Sequence, residues 1–340
     1  MKKKISINDI AKALGISNTT VSFILNGKAK EKRISESLVQ RVLKYVDEIN
    51  YKPNSLARSL RTGKTNIIGL MVEDISYPFF SSVARLIEEN AYKNGYKILY
   101  CSTENDLEKT TDLIQMFRDR HVDGYIIVPP EGLDLEIESL KANGKPVVLF
   151  DRCLPGVETD FVVINNEESS YQGVKHLIKN GYKEIAIITI DSLQPQMQDR
   201  MLGYERALEE HGLTGYVKEI AYKDKEHTVR QITSFLQRKP NLDAIFFTTN
   251  YLCVSGLKAL RDLNISIPND IAVISFDECE LFEMYSPPIT VISQPFEEIS
   301  INVINILLAK LSSETKDDNY MQIILPASFI ERESSRAKTD

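Results

Sequence analysis

Apolar residues recur at helical spacing three times within the first 50 positions. Ile7, Ile10, Ala11 and Leu14 form the first stripe, with Ser6 placed to cap a helix and Gly15 to break it. A second short helix opens at Ser17, buries Val21, Ile24 and Leu25, and stops near Asn26-Gly27. A third is capped by Ser35 and turns Leu38, Val42, Tyr45, Val46 and Ile49 inward. From Asn66 onward the pattern changes. Short apolar runs at Ile67–Val72, Lys97–Cys101, Gly124–Val128, Pro146–Phe150, Ile185–Ile190, Ala244–Phe247 and Ile271–Phe276 alternate with amphipathic stretches such as Phe79–Asn94 and Glu167–Asn180. Buried strands separated by helices predict parallel sheets covered on both faces. The expectation is a small all-α head followed by a large α/β body. Lys93-Asn94-Gly95-Tyr96-Lys97 recurs as Lys179-Asn180-Gly181-Tyr182-Lys183. That echo fits either two similar lobes or the same helix-stop chemistry used twice.

Charge sharpens the division. The first 64 residues carry 14 Lys and Arg against 5 Asp and Glu, whereas the remaining 276 carry 27 against 43. A basic head on an acidic body points to a polyanion met by the head alone, because phosphate neutralisation by Lys and Arg supplies the bulk of non-specific DNA affinity. At 340 residues the chain is long enough for two or three domains, and 43% hydrophobic content is ordinary for a globular protein. No apolar run approaches the roughly 20 residues of a membrane helix. Met1-Lys2-Lys3-Lys4 leads into Asn8, Asp9 and Lys12 rather than an apolar stretch, so no export is expected. Cys101, Cys153, Cys253 and Cys279 are too widely spaced for a metal pattern and read as small core or near-core thiols. Reduced thiols without a signal fit a cytoplasmic, nucleoid-associated protein.

The second helix carries the most specific information. At 100° per residue, Asn18, Thr19, Ser22 and Asn26 fall opposite the apolar side. Short, uncharged hydrogen-bonding side chains suit base edges in a major groove. Phe23 lies on the same side, either touching a thymine methyl or folding back on the first helix or the loop after Gly27. The stretch Ile7-Asn8-Asp9-Ile10-Ala11-Lys12-Ala13-Leu14-Gly15-Ile16-Ser17-Asn18-Thr19-Thr20-Val21-Ser22-Phe23-Ile24-Leu25-Asn26-Gly27 resembles the helix-turn-helix of the lactose-repressor (LacI/GalR) family. The resemblance implies DNA contacts from Ser6, Ser17, Asn18, Thr19, Thr20, Ser22, Phe23 and Asn26. Two departures stand out: Phe23 replaces the usual Arg, and Lys28–Ile34 is about three residues longer than is common in the family. Residues 51–64 are similar to the family hinge, which implies minor-groove contacts from Ala57, Arg58 and Leu60, with paired leucines wedged at the dyad of a homodimer.

In open parallel sheets ligands bind outside the carboxyl ends of the strands. Asp74, Tyr77, Phe79, Phe80, Asp151, Arg152, Arg200, Asn250, Asp277 and Gln294 follow the apolar runs or open the next helix. Carboxylates, guanidinium groups, amides and aromatic rings are the equipment of a sugar site. The body resembles the two-lobed, type I periplasmic-binding-protein-like core of the same family over about residues 65–332. That resemblance supports the same residues and notes Tyr77 in place of the family's Asn. It implies a head at 1–50, a hinge at 51–65 and a core at 66–335, with lobe 1 at about 66–164 and 293–325 and lobe 2 at about 165–290. With no leucine heptad at the end of the chain, dimers rather than tetramers are expected. The four histidines share no motif and read as surface or helix-terminal residues.

These features predict a transcription regulator that represses carbohydrate genes, binds a pseudopalindromic double-stranded operator as a homodimer, and is switched by a sugar-like effector. No catalytic, metal or cofactor site is expected, and no membrane partner. A sugar-binding protein would explain the body but not the head. An α/β enzyme would share the strand pattern, yet no nucleophile elbow, P-loop, G-x-G-x-x-G or zinc spacing occurs.

Overall fold

The computed structural model describes residues 5–51, 63–221, 224–313 and 319–338, and the chain divides into two compact units, 1–65 and 66–340. In the first unit, α1 (Ile7–Leu14), α2 (Asn18–Leu25) and α3 (Glu36–Glu48) enclose a core of Ile10, Ala11, Val21, Ile24 and Val42. Local chemistry sets the ends. Ser6 and Asp9 form a reciprocal capping box at the start of α1, and Gly15 ends it at φ 66°, a left-handed conformation that favours glycine. Ser17 caps α2 by accepting from the Thr20 amide at 3.0 Å. Of the five residues expected inside α3, only Val42 is fully buried; Leu38, Tyr45, Val46 and Ile49 are half-buried against the core. A three-helix unit this small has no second layer with which to cover them. Arg41 Nη2 donates to the Leu14 carbonyl at 3.1 Å and ties α3 to the end of α1.

The second unit holds two six-stranded sheets. The first contains β1 (Ile67–Val72), β2 (Lys97–Ser102), β3 (Gly124–Ile127), β4 (Val147–Phe150), β5 (Asp160–Ile164) and β11 (Gln322–Leu325), in the order β11-β5-β4-β3-β1-β2 and wholly parallel. The second contains β6 (Ile185–Ile190), β7 (Tyr216–Ile220), β8 (Ala244–Phe247), β9 (Ala272–Phe276), β10 (Thr290–Ser293) and β12 (Ser328–Ile330), ordered β12-β10-β9-β8-β6-β7. Only β12 is antiparallel, an edge strand of a kind common on otherwise parallel sheets. The two orders superimpose strand for strand, so β4 of one lobe corresponds to β9 of the other. Helices α4 (Pro78–Lys93), α5 (Leu107–Asp119), α6 (Asp134–Ala142) and α12 (Phe296–Ser312) accompany the first sheet. The second is accompanied by α7 (Asn166–Lys179), α8 (Pro195–Glu210), α9 (Lys225–Arg238), α10 (Asn250–Asp262) and the short α11 (Glu280–Met284). The chain passes between lobes after β5, after β10 and again between β11 and β12.

The repeated Lys-Asn-Gly-Tyr-Lys copies are not topological equivalents. One joins α4 to β2 and the other joins α7 to β6, the first strand of its sheet. Both use Asn as the last cap and Gly at positive φ, 79° at Gly95 and 92° at Gly181, so the echo is helix-stop chemistry.

His176, on α7, sits half-buried against the Phe329 ring, with Nε2 2.8 Å from Ser335 Oγ. Burial pushes its pKa below the ordinary value of 6.5, with Glu331 opposing. The unfolded chain then binds more protons than the native one, so stability is lost as pH falls through and below 6.5. We expect His176→Gln to flatten that part of the stability–pH curve, measured by urea unfolding between pH 7.5 and 5; an unchanged slope would show that His176 does not set it.

Candidate operator-reading and ligand-binding sites

Within the head, Asn18 and Thr19 are exposed along α2, with Thr20 partly covered. Several of the polar candidates are committed within the fold. Ser6 and Ser17 serve as caps, the Asn18 amide donates to Asn8, and Asn26 Nδ2 donates to the Ser22 carbonyl at 2.6 Å. Phe23 is half-buried with Lys32 Nζ 5.4 Å from its ring centroid. The ring thus lies beside the loop after Gly27, whose Lys32 supplies the cation. Ala57, Arg58 and Leu60 lie outside the described residues.

In the body, strand ends of both lobes converge on one cleft. Asp151 follows β4 and Asp277 follows β9, each at φ 69°. The matching strand positions therefore present a carboxylate from either side. Arg152 is 3% exposed and donates from Nε to Asp151 at 2.9 Å, from Nη1 to Asn105 at 3.0 Å and from Nη2 to Glu73 at 2.7 Å. Across the cleft Arg200 donates from Nε to Asn166 at 2.9 Å and from Nη1 to the Thr248 carbonyl at 2.6 Å. Its guanidinium lies 3.6 Å from the Phe276 ring centroid and 3.8 Å from Asp277 Oδ2, while Gln294 Nε2 donates to Asp277 at 2.7 Å. Burial works against both charges of that pair. It pushes the Asp277 carboxyl up and the Arg200 guanidinium down, and each offsets part of the other's penalty.

These groups, with Phe79 and Phe80 beneath them, surround an inner cavity of about 40 Å³. That is room for roughly three waters, so a sugar requires the lobes to part or side chains to move. A wider space of about 470 Å³ lies at the mouth and includes Asp74. Tyr77 and Tyr251 stack between the lobes with ring centroids 5.1 Å apart, and both line the two spaces. Nine of the ten body candidates border the inner cavity and Asp74 borders the mouth. Sequence reasoning did not pick out Glu73, Gln194, Gln196 or Tyr251. Glu73 directly follows β1, Gln194 stands between β6 and α8, and Gln196 and Tyr251 are each the second residue of a helix, α8 and α10; no motif singles any of them out.

Gly203 lies on α8, the helix that carries Arg200, where it faces α7. A Cβ there would lie 2.1 Å from the Glu167 carbonyl oxygen and 2.8 Å from Ser170 Cβ, so glycine alone lets α8 lie this close to α7. Gly203→Ala is expected to cost about 1–3 kcal/mol through overpacking, read as a melting-temperature drop of several degrees. An unchanged transition would mean that the helices separate freely.

The family model described as bacterial regulatory proteins, lacI family, matches residues 6–54, and the periplasmic binding protein-like domain matches residues 174–335. The HTH-type transcriptional repressor PurR of Aliivibrio salmonicida is 31% identical over 312 residues, covering 91% of this chain and 93% of that protein. The PurR of Vibrio vulnificus is 31% identical over 94% of this chain and 95% of its own. Among solved structures, the lac repressor dimer bound to operator and the anti-inducer ONPF has a TM-score of 0.86 at 20% identity, covering 98% of this chain and all of that one. At that identity it speaks to the fold alone. A LacI family transcriptional regulator from Enterococcus faecium with bound ribose has a TM-score of 0.70 at 25% identity, over 80% of this chain and 100% of its own.

Proposed function

The chain belongs to the lacI family of bacterial regulatory proteins and is a DNA-binding transcription regulator; on that premise we propose that it represses carbohydrate-metabolism genes as a homodimer released or recruited by a small sugar. The convergence of Arg200, Asp277, Asp151 and Arg152 from two lobes over an aromatic floor carries this reading. Paired charged donors and acceptors fit hydroxyls, and rings fit the apolar face of a sugar. The E. faecium regulator with bound ribose supports the ligand class.

Asn18, Thr19 and Ser22 on α2 read the major groove of each half-site, while residues 51–65 act as the hinge and Leu60 as its minor-groove wedge. Two hinges are needed for paired wedges, which is why a dimer is required. The ligand acts through different affinities for two arrangements of the lobes, and that difference biases the hinge. The bounds expected from the sequence, lobe 1 at about 66–164 and 293–325 and lobe 2 at about 165–290, leave out β12 and most of β10, both of which pair in the second sheet and go with lobe 2.

The test is selection of an operator from a random duplex pool by the full-length chain, followed by fluorescence anisotropy with and without pentoses and hexoses. Enrichment of a pseudopalindrome whose affinity changes with a sugar supports the reading. Failure to enrich any site at physiological salt defeats it. A dimer by light scattering at micromolar concentration is part of the same expectation, and a tetramer contradicts it.

A further inference from the structure

In the cleft the Arg152 guanidinium is fully engaged by protein acceptors, while one buried amide oxygen is left without a donor. All three guanidinium nitrogens of Arg152 donate to Asp151, Asn105 and Glu73. Arg200 donates to Asn166 and the Thr248 carbonyl. The Gln294 amide donates to Asp277, and the Gln196 amide to Gln194 at 3.2 Å. Gln196 is 3% exposed and borders the inner cavity, yet its Oε1 has no hydrogen-bond partner among the described residues. A buried acceptor without a donor is costly unless an incoming group supplies one.

Charge runs the same way. Six carboxylates border the inner cavity and the mouth against two guanidinium groups, both already paired. At the mouth, Glu104 is met by Lys109 at 2.8 Å, whereas Asp74 accepts from the Ser76 amide and Asp191 adds a further negative charge. Helix N-termini ordinarily favour anions. Here Pro78 and Pro195 each remove one N–H from the first turn of α4 and α8, and Thr249 engages one at α10 by accepting from the Leu252 amide.

We propose that the cleft takes an uncharged or amine-bearing polyol, a ligand that brings hydroxyl or ammonium donors, and discriminates against phosphorylated sugars. A phosphate monoester near neutral pH brings negative charge to a cleft in which carboxylates already outnumber cations. Gln196 Oε1 is the acceptor that an inner hydroxyl or ammonium of the ligand satisfies, which makes Gln196 a specificity-determining residue. This inference rests on the sugar-binding reading of the same site.

Isothermal titration of the full-length chain with pentoses and hexoses, each as free sugar, phosphate ester and, for hexoses, 2-amino sugar, tests both levels separately. The expected result is binding of at least one free or amino sugar, with its phosphate ester at least tenfold weaker. Tighter binding of the ester overturns the inference and leaves the sugar reading intact; binding by no member defeats the sugar reading and the inference with it. Gln196→Leu, checked for folding by its melting curve, is expected to weaken the preferred sugar about tenfold, while Gln196→Glu restores or increases preference for the amino sugar. Unchanged affinity in the folded Leu variant overturns the role given to Gln196.

Discussion

Replacing Arg200 with Met is expected to abolish the response to ligand while leaving operator binding in place. The guanidinium holds the Asn166 side chain, the Thr248 carbonyl and, at 3.8 Å, the Asp277 carboxylate, all in a site where Arg200 is 2% exposed. Methionine fills similar volume but leaves those acceptors without a donor and Asp277 without its offsetting cation. The Asp277 carboxyl, already pushed up by burial, should rise further. Affinity for whichever sugar binds the unaltered protein should fall at least about 100-fold, near 2.7 kcal/mol. Breaking a buried pair also costs about 3–5 kcal/mol of stability, so the melting temperature should drop. Arg200→Lys separates the two effects, since it keeps the charge and loses the planar fork. If the Lys variant is folded and binds sugar as tightly as the unaltered chain, the fork is not what recognises the ligand.

Val21→Asp is expected to erase specific DNA binding without touching the body. Val21 is fully buried, in a core with five fully or nearly fully buried residues among the described ones. A carboxylate there has neither a partner nor water, and so small a unit has no reserve to hold it. The head should unfold while residues 66–340, a separate compact unit, keep their own thermal transition. Binding to the selected operator should fall to the non-specific level, about 1,000-fold or more below the specific one. A full-length variant with near-normal operator affinity, or one whose entire melting curve collapses, would contradict this account of two separately folding units.

The head was legible because its signals are local. Ser6, Gly15 and Ser17 act within a turn of where they stand, so the ends of α1 and α2 follow from the sequence to within a residue, whereas Ser35, expected to cap α3, makes no side-chain cap bond. The central strands of the body were equally plain, being continuous apolar runs bounded by polar residues. Four strands were not: β5, inside the first sheet, and the edge strands β7, β11 and β12, although the edge strand β2 was. Asp160–Ile164 and Tyr216–Ile220 alternate buried and partly exposed positions, and Gln322–Leu325 is exposed at every second residue. Ser328–Ile330 is short, exposed and antiparallel, and only its pairing with β10 makes it a strand.

The candidate site divides along the same line. Strand-end reasoning assembled Asp151, Arg152, Arg200, Asn250 and Asp277 because it asks only where strands stop. It passed over Tyr251, whose stacking on Tyr77 joins residues 174 positions apart and leaves no trace in either neighbourhood. It also passed over Gln196, whose significance is an unpartnered oxygen and depends on every other donor in the cleft.

By itself the sequence determined the basic three-helix head, the α/β body and the residue types available at the strand ends, since caps, periodicity and strand–helix alternation act over a few residues. Tertiary structure alone decided which of those residues face one another, that Tyr77 and Tyr251 stack between the lobes, and that a buried Gln196 oxygen is left without a donor. Hydrogen-bond satisfaction and desolvation are properties of a closed space, and the chain closes that space only by crossing between its lobes after β5, after β10 and before β12.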